Sequence, residues 1–251
     1  MTLPADMSPY VIVLVTFLGE LFLYKVFSPL VMRKFQSYRV AKPGTQQRLH
    51  LYPASILVTV VENALSLYIL LFRSDVSPHR YEPNSIVRKL GGIWLGRILA
   101  ELVLSLQQQV FGMDLLIHHL VSLITGSQAV FVGLLPWHMN LGIMMELSNP
   151  FQSIRVALLE LGQKTSQAYL INGVCFVVVF FLCRIATIPL YWYYTLPMVL
   201  SGKMFEFDWL SIVTALGTHT VFEIMSIYWF GKMVRSVLKL VHMHGAKKSH
   251  K

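Results

Sequence analysis

Apolar runs of about 20 residues recur along almost the whole chain, separated by short connections rich in lysine and arginine. A helix of that length matches the roughly 30 Å hydrocarbon core of a bilayer, and a water-soluble domain has no means of covering so many such runs. The windows fall at Ser8 to Val31, Leu51 to Phe72, Leu90 to Val110, Met113 to Leu135, His138 to Leu161, Ala168 to Tyr191 and Trp209 to Gly231. They predict an all-α, polytopic membrane protein with about seven transmembrane helices. Three windows carry irregularities. The third contains Arg97 and Glu101, the fourth and fifth are joined only by a turn around Pro136, and the fifth is broken by Ser148, Asn149 and Pro150. A kinked or re-entrant element is expected at that break, which requires protein or a cavity to cover the freed backbone.

Charge supports the same class. Only 13% of the 251 residues are charged and 55% are hydrophobic, against roughly 25% charged in a soluble domain. Once seven spans and their loops are subtracted, no separate globular domain fits. The formal net charge of +9 does not point to nucleic acid, because the basic residues sit between and after the apolar runs, where membrane topology signals lie. The first connection holds Arg33, Lys34, Arg39, Lys42 and Arg48, and the C-terminal tail holds Lys232, Arg235, Lys239, Lys247, Lys248 and Lys251, neither with an acid. Placing both on the cytoplasmic side requires an even number of crossings between them. Seven spans satisfy this, with the N-terminus lumenal or exoplasmic and the C-terminus cytoplasmic. The N-terminal stretch has no basic residue before the first run and no small-residue cleavage site after it, so a retained first span is expected. Cys175 and Cys183 share one run; eight residues of helix hold them about 12 Å apart, too far to bridge.

Ionisable groups at membrane depth cost several kcal/mol unless they are paired, hydrated or used, and this chain has many. Asp114, His118, Ser122 and Thr125 recur at helical spacing on one face, with His119 beside them. An aspartate one turn before a histidine can fix its tautomer, which makes Asp114 and His118 a candidate acid/base pair. The alternative role is polar glue between helices. Arg97 and Glu101 are spaced as an ion pair, as are His219 and Glu223. The fifth window adds His138, Glu146, Asn149 and Arg155, the first Glu20 and Lys25, the second Glu62 and Asn63, and the sixth Arg184. Lys25 and Arg184 lie near span ends, where long basic side chains snorkel.

Membrane di-iron enzymes carry histidines in clustered repeats, whereas here only His118, His119, His138 and His219 lie at membrane depth; no metal site is expected. Zinc-protease, serine-hydrolase and phosphate-loop motifs are absent from the sequence, which leaves hydrolase and nucleotide-driven pump readings without support.

The run IHHLVSL (Ile117 to Leu123), then MMELSNPFQSIR (Met144 to Arg155) and INGVCFVVVFFLCRIATIP (Ile171 to Pro189) resemble the TLC domain family. That family joins ceramide synthases, translocation-associated membrane proteins and smaller TLC domain-containing proteins, and the chain looks most like the TLC domain-containing protein 4 group. The resemblance covers roughly Gln47 to Lys239. It divides the chain into a first transmembrane helix with a basic cytoplasmic loop (1–46), a TLC domain (47–239) and a basic cytoplasmic tail (240–251). It implies a helical barrel enclosing a lipid-sized cavity, an endomembrane location such as the endoplasmic reticulum, and a part in lipid homeostasis, with membrane lipids as partners and no cofactor.

In ceramide synthases, paired histidines and a downstream histidine with two aspartates carry acyl transfer from acyl-CoA. Here His118 and His119 match the pair and His138 falls near the downstream histidine, but Met139 and Gly142 stand where the aspartates would be. The reading favoured by this departure is a protein that binds, senses or moves a membrane lipid. The alternatives are an acyltransferase using acyl-CoA, with His118, His119 and Asp114 catalytic, and a transporter or channel. Histidines converging on one open pocket would favour the enzyme, and histidines on separate helices the binding protein.

Overall fold

A computed structural model describes residues 7–110 and 112–248, with side chains through Ser236. The expected tail residues Lys239, Lys247, Lys248 and Lys251 therefore lie outside the described side chains. Among the described residues the fold is all helical. Six helices are long and apolar enough to cross a membrane: α1 (Ser8–Met32), α2 (Pro43–Phe72), α3 (Ser85–Gln108), α4 (Met113–Val132), α7 (Gln167–Leu200) and α8 (Trp209–Ser236). Between α4 and α7 run α5 (Pro136–Met144) and α6 (Asn149–Glu160), joined by a 3-10 turn at Met145–Ser148.

The window from His138 to Leu161 is thus helical but interrupted, at the place where the sequence carries Ser148, Asn149 and Pro150. Pro150 has no N–H to offer the carbonyl four residues back, which is that of Glu146, and the turn tightens there. Two π-helical turns have a related cause. Leu23–Phe27 in α1 and Phe181–Ile185 in α7 each contain the residue four before a proline, Pro29 and Pro189. Widening the helix relieves the clash of the proline ring with that carbonyl. Where a soluble stretch must start a helix, a side chain caps it. Asn84 accepts from the N–H groups of Ile86 and Val87, Ser166 from Tyr169, and Asp208 from Ser211.

The distribution of polarity is inverted relative to a soluble protein. Leu14, Leu18, Leu71, Val174 and Ile224 are all more than half exposed, while Glu20, Glu62, Arg97 and Arg184 are buried to within 2%. An apolar exterior around a charged interior is what lipid demands of a bundle. Helices α1 and α3 approach closely because glycine lines the contact. A Cβ at Gly92 would stand 2.7 Å from the Pro9 carbonyl oxygen, and one at Gly96 only 2.5 Å from that of Val13. This is the small-residue spacing by which membrane helices bring their backbones together. The signal was present in the sequence as Gly92 and Gly96, four residues apart.

Candidate functional site

The charged centre is organised by Arg97 on α3, fully buried. Its Nε donates to Glu62 Oε2 at 2.7 Å, one terminal nitrogen to Glu101 Oε2 at 3.0 Å and the other to Glu146 Oε2 at 3.1 Å. The expected Arg97–Glu101 pair is therefore present, but it is one arm of a larger network. Glu146 sits on the 3-10 turn and meets a second cation: Arg184 donates to its Oε1 at 3.3 Å, to Asn149 Oδ1 at 3.1 Å and to Ser148 Oγ at 3.2 Å. Asn149 also donates to Glu146, and the Cys183 thiol to the carbonyl of Met145. The broken helix thus delivers three polar groups from a single turn, Glu146, Ser148 and Asn149, to the bundle centre. Arg184 does not snorkel, contrary to the sequence expectation, because its α7 position faces Glu146 and burial is repaid by three acceptors.

Beside this network lies a cavity of about 260 Å³. His118 and His119 line it together, their ring centroids 5.8 Å apart, with Glu20, Glu101, Asn149 and Arg184. His118 Nε2 is 3.7 Å from Glu146 Oε1. His119 Nε2 is 3.8 Å from Glu101 Oε2, and its Nδ1 faces the Leu115 carbonyl at 3.2 Å. Glu101 also accepts from Ser55 at 2.6 Å.

The anticipated Asp114–His118 pair does not form. Asp114 accepts instead from the Trp229 indole at 3.1 Å, and that indole packs against His118 at 5.7 Å between centroids. The carboxylate facing His118 is Glu146, brought in from a different helix, a contact that spacing along α4 cannot disclose.

His138 does not join the pair. It lines a second, smaller cavity of about 20 Å³ with His219, Met139 and Gly142. His219 Nε2 is 3.3 Å from Glu223 Oε1 as the spacing suggested, and Glu223 also accepts from Trp192 at 2.9 Å. Arg155 stays partly exposed, with its guanidinium 5.2 Å over the Tyr169 ring. The histidines are therefore neither fully convergent nor fully dispersed.

Sequence reasoning passed over Ser55 and Tyr52. Tyr52 matters most, because it lines both the polar cavity and an apolar groove of about 410 Å³ whose walls include Phe27, Val31, Ile56, Leu57 and Leu158. Its hydroxyl donates to Glu160 at 3.0 Å. Among the described residues no group of three or more His, Cys, Asp or Glu side chains is placed to hold a metal ion.

In sequence the chain is similar to known proteins. TLC domain-containing protein 4-B of Danio rerio is 29% identical over 245 residues, covering 94% of this chain and 91% of that protein. TLC domain-containing protein 4 of Xenopus tropicalis is 26% identical, covering 92% of each. The Homo sapiens TLC domain-containing protein 4 is 28% identical, covering 73% of this chain and 71% of its own length. The sequence model of the TLC domain matches residues 48–235, from the end of the first connection to the last described turns of α8. This multi-pass integral membrane protein belongs to the TLC domain family.

Proposed function

We propose that the protein holds one amphiphilic membrane lipid, with the polar part in the cavity beside His118 and His119 and an acyl chain in the apolar groove, and so takes part in lipid homeostasis. The observation that carries this reading is Tyr52, one side chain shared by the walls of a charged cavity and an apolar groove. An amphiphile needs that juxtaposition and a purely polar or purely apolar ligand does not. The endomembrane location and the cytoplasmic placement of both basic clusters belong to the same reading. They rest on the family resemblance and on loop charge.

Native mass spectrometry of the protein released from mild detergent tests it. The wild type should retain a lipid adduct, and Val156→Trp in the cavity wall or Ile56→Trp in the groove should each lower its occupancy about tenfold. A wild-type spectrum free of lipid would remove the basis for the proposal.

A second reading has one specific observation behind it: the His118 imidazole lies against the Glu146 carboxylate in a cavity wall it shares with His119. An imidazole close to a carboxylate is equipment for general-base or nucleophilic catalysis. Purified protein offered a panel of acyl-CoAs with sphingoid and lysophospholipid acceptors separates the two. Product that disappears in the His118→Ala/His119→Ala variant makes the protein an acyltransferase; bound lipid without product leaves the binding role.

A further inference from the structure

The second, smaller cavity has several polar groups in its wall that lack partners. His138 is 4% exposed and neither ring nitrogen has a hydrogen-bond partner within the protein. Three further residues of the same wall each present an orphan polar atom: Trp94 Nε1, Gln128 Oε1 and Thr214 Oγ1, on side chains 2%, 0% and 4% exposed. Five orphan atoms on four residues around one cavity are not scattered defects, since a buried donor or acceptor left unbonded costs about 1–3 kcal/mol.

Two features keep the space open. Gly142 lines it, and a Cβ built there meets nothing within 4 Å. Thr214 stands on the π-helical turn Val213–Thr218 of α8, which has no proline after it in the described helix to explain the widening. π turns without a local cause concentrate at sites of use.

We propose that this cavity is a specific internal water site, anchored by His138 and shared with Gln128, Thr214 and Trp94. Its volume of about 20 Å³ fixes the ligand class, because a single water needs about 10–15 Å³ on this measure and two to four polar partners. A headgroup, an acyl chain or a hydrated ion does not fit. The donor and acceptor set is suited to water as well: an indole N–H donates, an amide oxygen accepts, and a hydroxyl and an imidazole can do either. His138 thereby serves solvent inside the bundle and is separated from the reaction or lipid chemistry of His118 and His119.

Two measurements on the full chain decide it. In a crystal structure fine enough to place solvent, a peak is expected within about 3.2 Å of a His138 ring nitrogen and of Gln128 Oε1 or Thr214 Oγ1. Xenon pressure should leave it in place, since xenon enters dry apolar cavities. Xenon occupying the space, or a His138 ring bonded to protein groups instead, overturns the proposal. In parallel, His138→Phe should lower the melting temperature by about 2–4 °C, as expected for about 1 kcal/mol in a chain of this size. If the site is dry, the same change removes two unsatisfied nitrogens and raises the melting temperature, which would also overturn it.

Discussion

Arg97 and Glu146, 49 residues apart, meet at 3.1 Å in the middle of the bundle, and through them the broken helix is tied to α3. Arg97 is simultaneously the partner of Glu62 and Glu101. Removing it leaves the fully buried Glu62 without its cation and takes one partner each from Glu101 and Glu146.

Arg97→Leu should therefore destabilise the protein by about 3–5 kcal/mol, the cost of leaving a buried charge without its partner. Lys25→Leu, on the exposed side of α1, should stay within about 0.5 kcal/mol. Melting temperatures in detergent by fluorescence-detected size exclusion give the comparison, and equal values for the two variants would contradict the network.

His118→Ala with His119→Ala should keep the wild-type elution profile while losing lipid retention or acyl transfer, because neither histidine is a member of the Arg97 and Arg184 hydrogen-bond set. Aggregation of the double variant on the sizing column, with Glu101→Gln behaving normally, would assign the pair to helix packing.

Gly96→Ala is expected to cost about 1–3 kcal/mol by overpacking. The new methyl would stand 2.5 Å from the Val13 carbonyl oxygen and 2.8 Å from the Thr16 Cβ, both on the neighbouring helix. Gly173→Ala, where nothing lies within 4 Å, is the control. A melting temperature for Gly96→Ala that matches or exceeds the control would show that α1 and α3 separate freely.

Outside the membrane, the Arg73 guanidinium and the Asn84 amide hold the Asp75 carboxyl well below the usual carboxylate range. A folded-state value below the unfolded one means the contribution is present above the ordinary carboxylate pKa and is lost as pH falls through the lowered value. Asn84 also caps α3, so the clamp bears on that helix. Melting temperatures of wild type and Asp75→Asn should differ at pH 7, keep differing near pH 4 and converge only in stronger acid. Convergence already at pH 5 would contradict the depressed value.

Fold class was legible in the sequence because apolar length is a one-dimensional property. Six of the seven windows became long apolar helices, and the fifth broke where Ser148, Asn149 and Pro150 stand. Pairs within one helix were legible for the same reason: Arg97 with Glu101 and His219 with Glu223 follow from a spacing of four. Pairs between helices were not. Nothing in the spacing of Asp114 and His118 reveals that Trp229 takes the aspartate while Glu146 faces the histidine. Arg184 was misjudged because position along a span gives depth and says nothing of which way the side chain faces. Tyr52 carried no signal at all, since a tyrosine near a span end is ordinary at an interface.

The contact of Gly92 and Gly96 with α1 bears on where this protein's working unit begins. The family match starts at residue 48, after α1 has ended. Yet α1 is clamped to α3 at backbone distance and contributes Glu20 to the cavity wall. A domain drawn by shared sequence and a chamber drawn by its walls thus differ by one whole helix. Any fragment cut at the sequence boundary would present that chamber, one side missing, directly to the lipid around it.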